Sequence, residues 1–190
     1  DISEPGPERW FEEKSGLEPQ IAAALLAEDT RPRSAPSRNG LLVILRGVNL
    51  NPGAEPDDMV SVRVWLERDR IFSVRRRQLR VSSEIRAAVE AGEGPVSPGD
   101  FLCMLVERLV DRIGESVDEL DEHIDELEEA GEAQGIPELR AQLSDLRRQT
   151  AHLRRFLAPQ RDALDRLVRQ PDPVLAEADN LSIREQADRV

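Results

Sequence analysis

Residues 41–77 read LLVILRGVNLNPGAEPDDMVSVRVWLERDRIFSVRRR. Two β-rich runs, Leu41–Asn49 and Met59–Glu67, flank a segment with turn residues at Asn51, Pro52 and Gly53. A third run, Arg70–Arg77, follows after only Arg68 and Asp69. Connections this short join antiparallel neighbours, so the stretch predicts a three-strand meander. In the second run Val60, Val62, Val64 and Leu66 alternate with Ser61, Arg63, Trp65 and Glu67. That period of two predicts a strand with one face on a core and the other in water.

Upstream, Leu17–Glu28 has the pattern of a short helix, and Thr30–Gly40, with Pro32 and Pro36, that of a loop. Residues 1–16 are polar and turn-rich apart from Trp10 and Phe11. Downstream, Ile85–Ala91 predicts another short helix ended by Gly92 and Gly94. Ser97-Pro98-Gly99-Asp100 is then a helix start: Ser97 can cap, Pro98 suits the first turn, and Asp100 can reach back. From there Leu102, Val106, Leu109, Ile113, Val117, Leu120, Ile124 and Leu127 recur at spacings of 3 and 4, one face of a long helix. Gly131 and Gly135 interrupt that helix. The return arm carries Ile136, Leu139, Leu143, Leu146, Thr150, Leu153, Leu157, Gln160, Leu164 and Leu167 at alternating 3 and 4 spacings. Two such stripes joined by a short turn predict an antiparallel helical hairpin. Pro171 and Pro173 end it, and Val174–Val190 begins another helix.

The fold expectation is therefore α+β: a layered α/β/α domain with a mainly antiparallel sheet over residues 1–96, a long helical hairpin over 97–172, and the start of a stalk helix over 173–190. Composition narrows the function. The chain has 190 residues and a net charge of −12, a sign that repels phosphate backbones, so no nucleic-acid partner is expected. Cys103 is the single cysteine, which leaves no disulfide or cysteine zinc site within the chain; it falls on an apolar helix face and reads as an inert thiol. No signal peptide and no long apolar run is present. The chain opens at Asp1 without Met and stops inside a helical pattern, which reads as an excised piece of something longer.

Chemistry concentrates in the first arm. Between Glu115 and Glu132 stand Asp118, Glu119, Asp121, Glu122, Asp125, Glu126, Glu128 and Glu129, with His123 among them. Hard oxygen ligands suit Mg²⁺, and a histidine with carboxylates can hold Zn²⁺. The plainer reading is a solvated helix face, partly paired with Arg140, Arg147, Arg148, Arg154 and Arg155 of the other arm. Arg75-Arg76-Arg77, with Arg80 and Arg86, is the one basic cluster, either a place for an anion or an acidic neighbour, or a solvated strand end. His152 has no serine or cysteine at catalytic spacing and reads as a surface histidine. With no phosphate loop, dinucleotide fingerprint or nucleophile elbow, the chain is not expected to be an enzyme, and no tightly bound cofactor is expected. A metal-dependent hydrolase built on His123 would need ligands from several elements.

LLAEDTRPR at 25–33, LRGVNLNPGAEPDDMVSVRVW at 45–65, the SVRRR strand and the acidic DELDEHIDELEEA helix together resemble the cytoplasmic domain of CorA-type divalent cation channels and transporters, with LRGVNLNPG most similar to the ZntB branch. The resemblance implies a stalk helix beginning near Asp179, two membrane spans beyond this chain, and a homo-pentamer forming an ion funnel at the inner membrane, this part cytoplasmic. The isolated piece would be a monomer or dimer. It also implies a divalent cation, Zn²⁺ or Mg²⁺, as transported or regulatory ion. Candidate cation-contacting residues are Asp118, Asp121, Glu122, His123, Asp125, Glu126 and, on the stalk, Asp179. Gly47-Val48-Asn49 copies the family's pore signature in letters only, since it sits at a strand end. The loop NLNPGAEPDD departs from the magnesium-sensing pattern, which favours the ZntB reading. The alternative function is a soluble adaptor whose charged hairpin binds another protein.

Overall fold

The computed structural model describes residues 6–55, 58–130, 136–170 and 172–190. Four strands, β1 (Arg33–Ser37), β2 (Gly40–Val48), β3 (Met59–Leu66) and β4 (Ile71–Arg75), form one antiparallel sheet in the order β1-β2-β3-β4. Six helices accompany it among the described residues: α1 (Pro7–Glu13), α2 (Pro19–Leu26), α3 (Arg80–Glu90), α4 (Pro98–Ala130), α5 (Ile136–Arg169) and α6 (Glu177–Arg189). This is the expected α+β layering with a long hairpin behind it.

Strand register explains the layers. Val43 faces Val64 and Leu45 faces Val62 across β2 and β3. Together with Leu41, Val60 and Leu66 they form one apolar face, which buries Leu102, Leu105, Val106 and Leu109 of α4, Leu164 and Leu167 of α5, and Ile183 of α6. One core thus joins the sheet to the root of the hairpin and to the last helix. The opposite face carries Leu42, Ile44, Trp65 and Val74, packed on Phe11, Ala22 and Leu25 from α1 and α2. With both faces covered, β2 is a continuous apolar run rather than an alternating one.

That second layer corrects three sequence expectations. The side of β3 expected to face water is covered: Arg63 is only 1% exposed and Trp65 is buried. Residues 7–13, part of a stretch read as polar and turn-rich, form α1, because Phe11 closes the second core. Thr30–Gly40 is not all loop; β1 pairs with β2 from Arg33↔Ile44 to Ser37↔Gly40. Pro36 is tolerated there because β1 is an edge strand, where a missing N–H costs no ladder bond. Ser34 Oγ also donates to the Ala163 carbonyl at 2.8 Å, tying this edge to α5.

Gly47 has a packing role. A Cβ there would lie 2.5 Å from Leu109 Cδ2 and 3.0 Å from Leu79 Cδ1, so its absence lets α4 approach β2. The α4 start follows the expected cap: the Asp100 N–H donates to Ser97 Oγ at 3.0 Å, and the Asp100 carboxylate accepts from the Val96 N–H at 2.9 Å. Helix α4 runs 33 residues and α5 runs 34, each about 50 Å at 1.5 Å per residue. The expected connection through Gly131 and Gly135 lies outside the described residues, as does Pro171.

Candidate functional site: the acidic arm

Asp118, Asp121, Glu122 and Asp125 recur at helical spacing on one side of α4, and His123 and Glu126 lie on the adjoining side. All six are exposed, as are Glu119, Glu128 and Glu129 between and beyond them. Only Leu120 in this stretch is buried, held against Leu153 of α5 with Ile113 and Val48. The apolar stripe therefore turns the carboxylates outward, toward solvent.

Among the described residues, no ion pair joins Asp118–Glu129 to the arginines of α5. Arg148 lies 3.5 Å from Asp145 on its own helix, and Arg112 holds Glu115 at 2.7 Å and Glu84 at 2.9 Å nearer the root. Nor do three or more His, Cys, Asp or Glu side chains converge as a metal cage among the described residues. A single helix cannot wrap its own carboxylates around a point. What it makes is a ridge of like negative charge facing solvent.

Asp179 is not brought to this ridge. It sits at the start of α6, where its carboxylate accepts the Ala176 N–H at 2.8 Å. A Cβ at Gly99 would collide with that carboxylate, so Gly99 is what allows α6 to meet the first turn of α4. Cys103, one turn further on, places Sγ 3.6 Å from the Asp179 carbonyl oxygen. Burial, followed by the Asp179 charge, pushes this thiol up to about 11, so it stays protonated and unreactive near neutrality. Asp118 is 15 residues along α4 from Cys103, roughly 22 Å of helix axis.

The basic cluster splits. Arg75 turns to the Leu79 carbonyl at 3.4 Å, whereas Arg76 and Arg77 turn toward Glu28 and Asp58, each at 3.8 Å. On that side they meet Arg46 and Arg63, which sequence reasoning did not single out. An arginine on the alternate face of a strand looks solvated until a second layer is known to cover it. In the structure Arg63 stands in register with Ile44 on that covered face, a pairing that the sequence alone does not show.

No helix among the described residues is long and apolar enough to cross a membrane. The family model for the CorA-like Mg²⁺ transporter protein matches residues 1–190. The divalent cation transporter CmaX of Pseudomonas aeruginosa is 41% identical over 168 residues, covering 87% of this chain and 50% of that protein. The zinc transport protein ZntB of Pectobacterium atrosepticum is 35% identical over 190 residues, covering all of this chain and 58% of that protein. The structure of full-length CmaX superimposes with a TM-score of 0.88 at 38% identity, over 96% of this chain and 56% of that one. The ZntB cytoplasmic domain from Vibrio parahaemolyticus shares the fold, with a TM-score of 0.83 at 24% identity over 97% of this chain and 73% of that one. The chain thus spans about half the length of the curated relatives it matches. On its whole-length family match and these relatives, the chain belongs to the CorA-like divalent-metal transporter family.

Proposed function

We propose that this chain is the water-facing domain of a divalent-cation transporter, with Zn²⁺ as the first candidate ion and Mg²⁺ as the second, assembled as a pentamer around the ion path and held to the inner membrane by segments outside these residues. The observation that carries the reading is the exposed ridge of Asp118, Asp121, Glu122, Asp125 and Glu126, with His123 beside it and, among the described residues, no ion pair from these carboxylates to the arginines of α5. A conducting path must release what it collects, so a field without a cage suits transport better than ligation does. The zinc preference rests on the relative named as a zinc transport protein. Asp179, occupied at the α6 start, is assigned a structural role on the way to the stalk.

The test is metal uptake by the longer protein that carries this domain, with the five ridge carboxylates changed to Asn or Gln. Uptake of Zn²⁺ at low external concentration should fall, and the loss should shrink as salt or metal is raised. Unchanged uptake with normal protein levels in the membrane would refute the role of the ridge.

A further inference from the structure

The second face of the sheet holds an arrangement that cation transport does not use. Arg46 and Arg63 share that face with Ile44 and Trp65, and Arg76 follows Val74 onto it from β4. Helix α5 closes the far side with Arg155 and Phe156. The result is a cleft of about 370 Å³, the size of a small-molecule site.

Arg46, Arg63 and Arg76 each spend part of their donor set on backbone at the end of α2 or in the segment just after it. Arg63 Nη2 donates to the Ala27 carbonyl at 2.7 Å, Arg76 Nη2 to Leu26 at 3.2 Å, and Arg46 Nη2 to Thr30 at 2.7 Å. These bonds satisfy carbonyls that a helix C-terminus leaves unpaired. They do not account for the rest. Arg46 Nε, Arg76 Nε, and both Nε and Nη1 of Arg63 are buried and find no acceptor on the protein. Arg63 itself is 1% exposed. A buried charge without a counter-charge is costly; Asp29 offsets part of the charge of Arg46, but among the described residues no carboxylate pairs with Arg63, and the two at the rim do not reach it. Glu28 and Asp58 stand 3.8 Å from Arg76 and Arg77, and both are solvated.

We propose that this cleft binds a small phosphoryl oxyanion, inorganic phosphate or a phosphomonoester, through Arg46, Arg63 and Arg76 at its floor and Arg77 and Arg155 at its rim. Guanidinium forks match the oxygens of such a group, and charge-assisted bonds to it would use the donors now left over. Five guanidiniums against two carboxylates favour a dianion over a monocarboxylate. Phe156 is already stacked by guanidiniums, with Arg46 4.6 Å and Arg155 5.6 Å from its centroid; the ring is thus engaged by cations rather than presented to a base, which argues for the phosphoryl group rather than a nucleic acid. Burial, then the charges of Arg76 and Arg46, pulls Arg63 down to about 10, a penalty that a bound dianion would relieve. The ligand would bridge β3 to α5, pinning the second arm to the sheet.

Calorimetric titration of the chain with inorganic phosphate, glycerol phosphate and acetate tests the site. One phosphate or phosphomonoester should bind per chain, acetate should bind far more weakly, and the tighter of the first two identifies the source. Arg77→Ala with Arg155→Ala removes exposed side chains. It should leave the phosphate-free melting temperature unchanged and weaken binding by at least about tenfold. Arg63→Met should abolish binding, and the rim variant decides the matter should that protein fail to fold. Absence of saturable binding by either phosphate at millimolar concentration, or equal binding by the rim variant and the parent, would overturn the proposal.

Discussion

At the root of the hairpin, Leu102, Leu105, Leu109, Leu164 and Leu167 are 2% exposed or less, whereas toward its tip Val117, Ile124 and Leu143 keep 37%, 36% and 38% of their surface. The stripes are the same in both places, with the same 3 and 4 spacing and the same residue types. What differs is the surface beneath. The root rests on the sheet and on α6, whereas toward the tip the cover among the described residues comes mainly from the opposite arm, with Val190 at the edge of the groove that holds Val117 and Ile124. A helical pattern therefore announces which face seeks cover, and tertiary context decides how much it obtains. The division also separates two kinds of work: apolar contact anchors the arm at one end, while the other end is free to present charge to water.

Truncations should expose this contrast first. Leu109→Ala, at the centre of the root, is expected to cost about 2–5 kcal/mol in urea unfolding, because it removes a fully packed side chain and leaves a cavity. Gly47→Ala should come next, at roughly 1–3 kcal/mol, since Leu109 and Leu79 must move to admit the methyl group. Leu143→Ala, at the tip, should cost less than about 1 kcal/mol. If Leu143 proved as costly as Leu109, the two ends would be packed alike and the comparison would fail.

A titration sharpens the same picture at the α4–α6 contact. The Cys103 thiol ordinarily ionises near 9 and is held to about 11 here. Between those values the unfolded chain loses the proton and the folded chain keeps it. This group's contribution to stability is thus unchanged below pH 9 and falls as pH rises toward 11. Alkylation of folded Cys103 should stay slow through pH 9, and Asp179→Asn should accelerate it modestly by removing the second cause of the shift. Fast alkylation at pH 8 would show the thiol to be open.

Much of this was legible in the residues and some was not. The meander, the hairpin and the acidic ridge follow from periods of 2 and 3.6 that single residues cannot disguise, such as Val60–Leu66 and Leu102–Leu127. The β1 strand was hidden by Pro32 and Pro36, which signal a loop locally and are harmless at a sheet edge. Helix α1 was hidden because its case rests on Trp10 and Phe11, whose ring neighbour Phe72 lies far along the chain. The acids at 118–126 were visible as types, but their failure to converge with Asp179 depends on where α6 docks. Arg63 was least legible, because only the covering layer turns an alternating strand arginine into a buried cation.

The central claim is that the acidic arm concentrates divalent cations by its field rather than by a fixed cage. Calorimetric titration of the chain with Zn²⁺ and with Mg²⁺, each at low and at physiological salt, addresses it most directly. Weak, multi-site binding that collapses as salt screens the ridge, and that weakens when Asp118, Asp121, Glu122, Asp125 and Glu126 are neutralised, is the expected result. A single saturating site, tight and indifferent to salt, would contradict it.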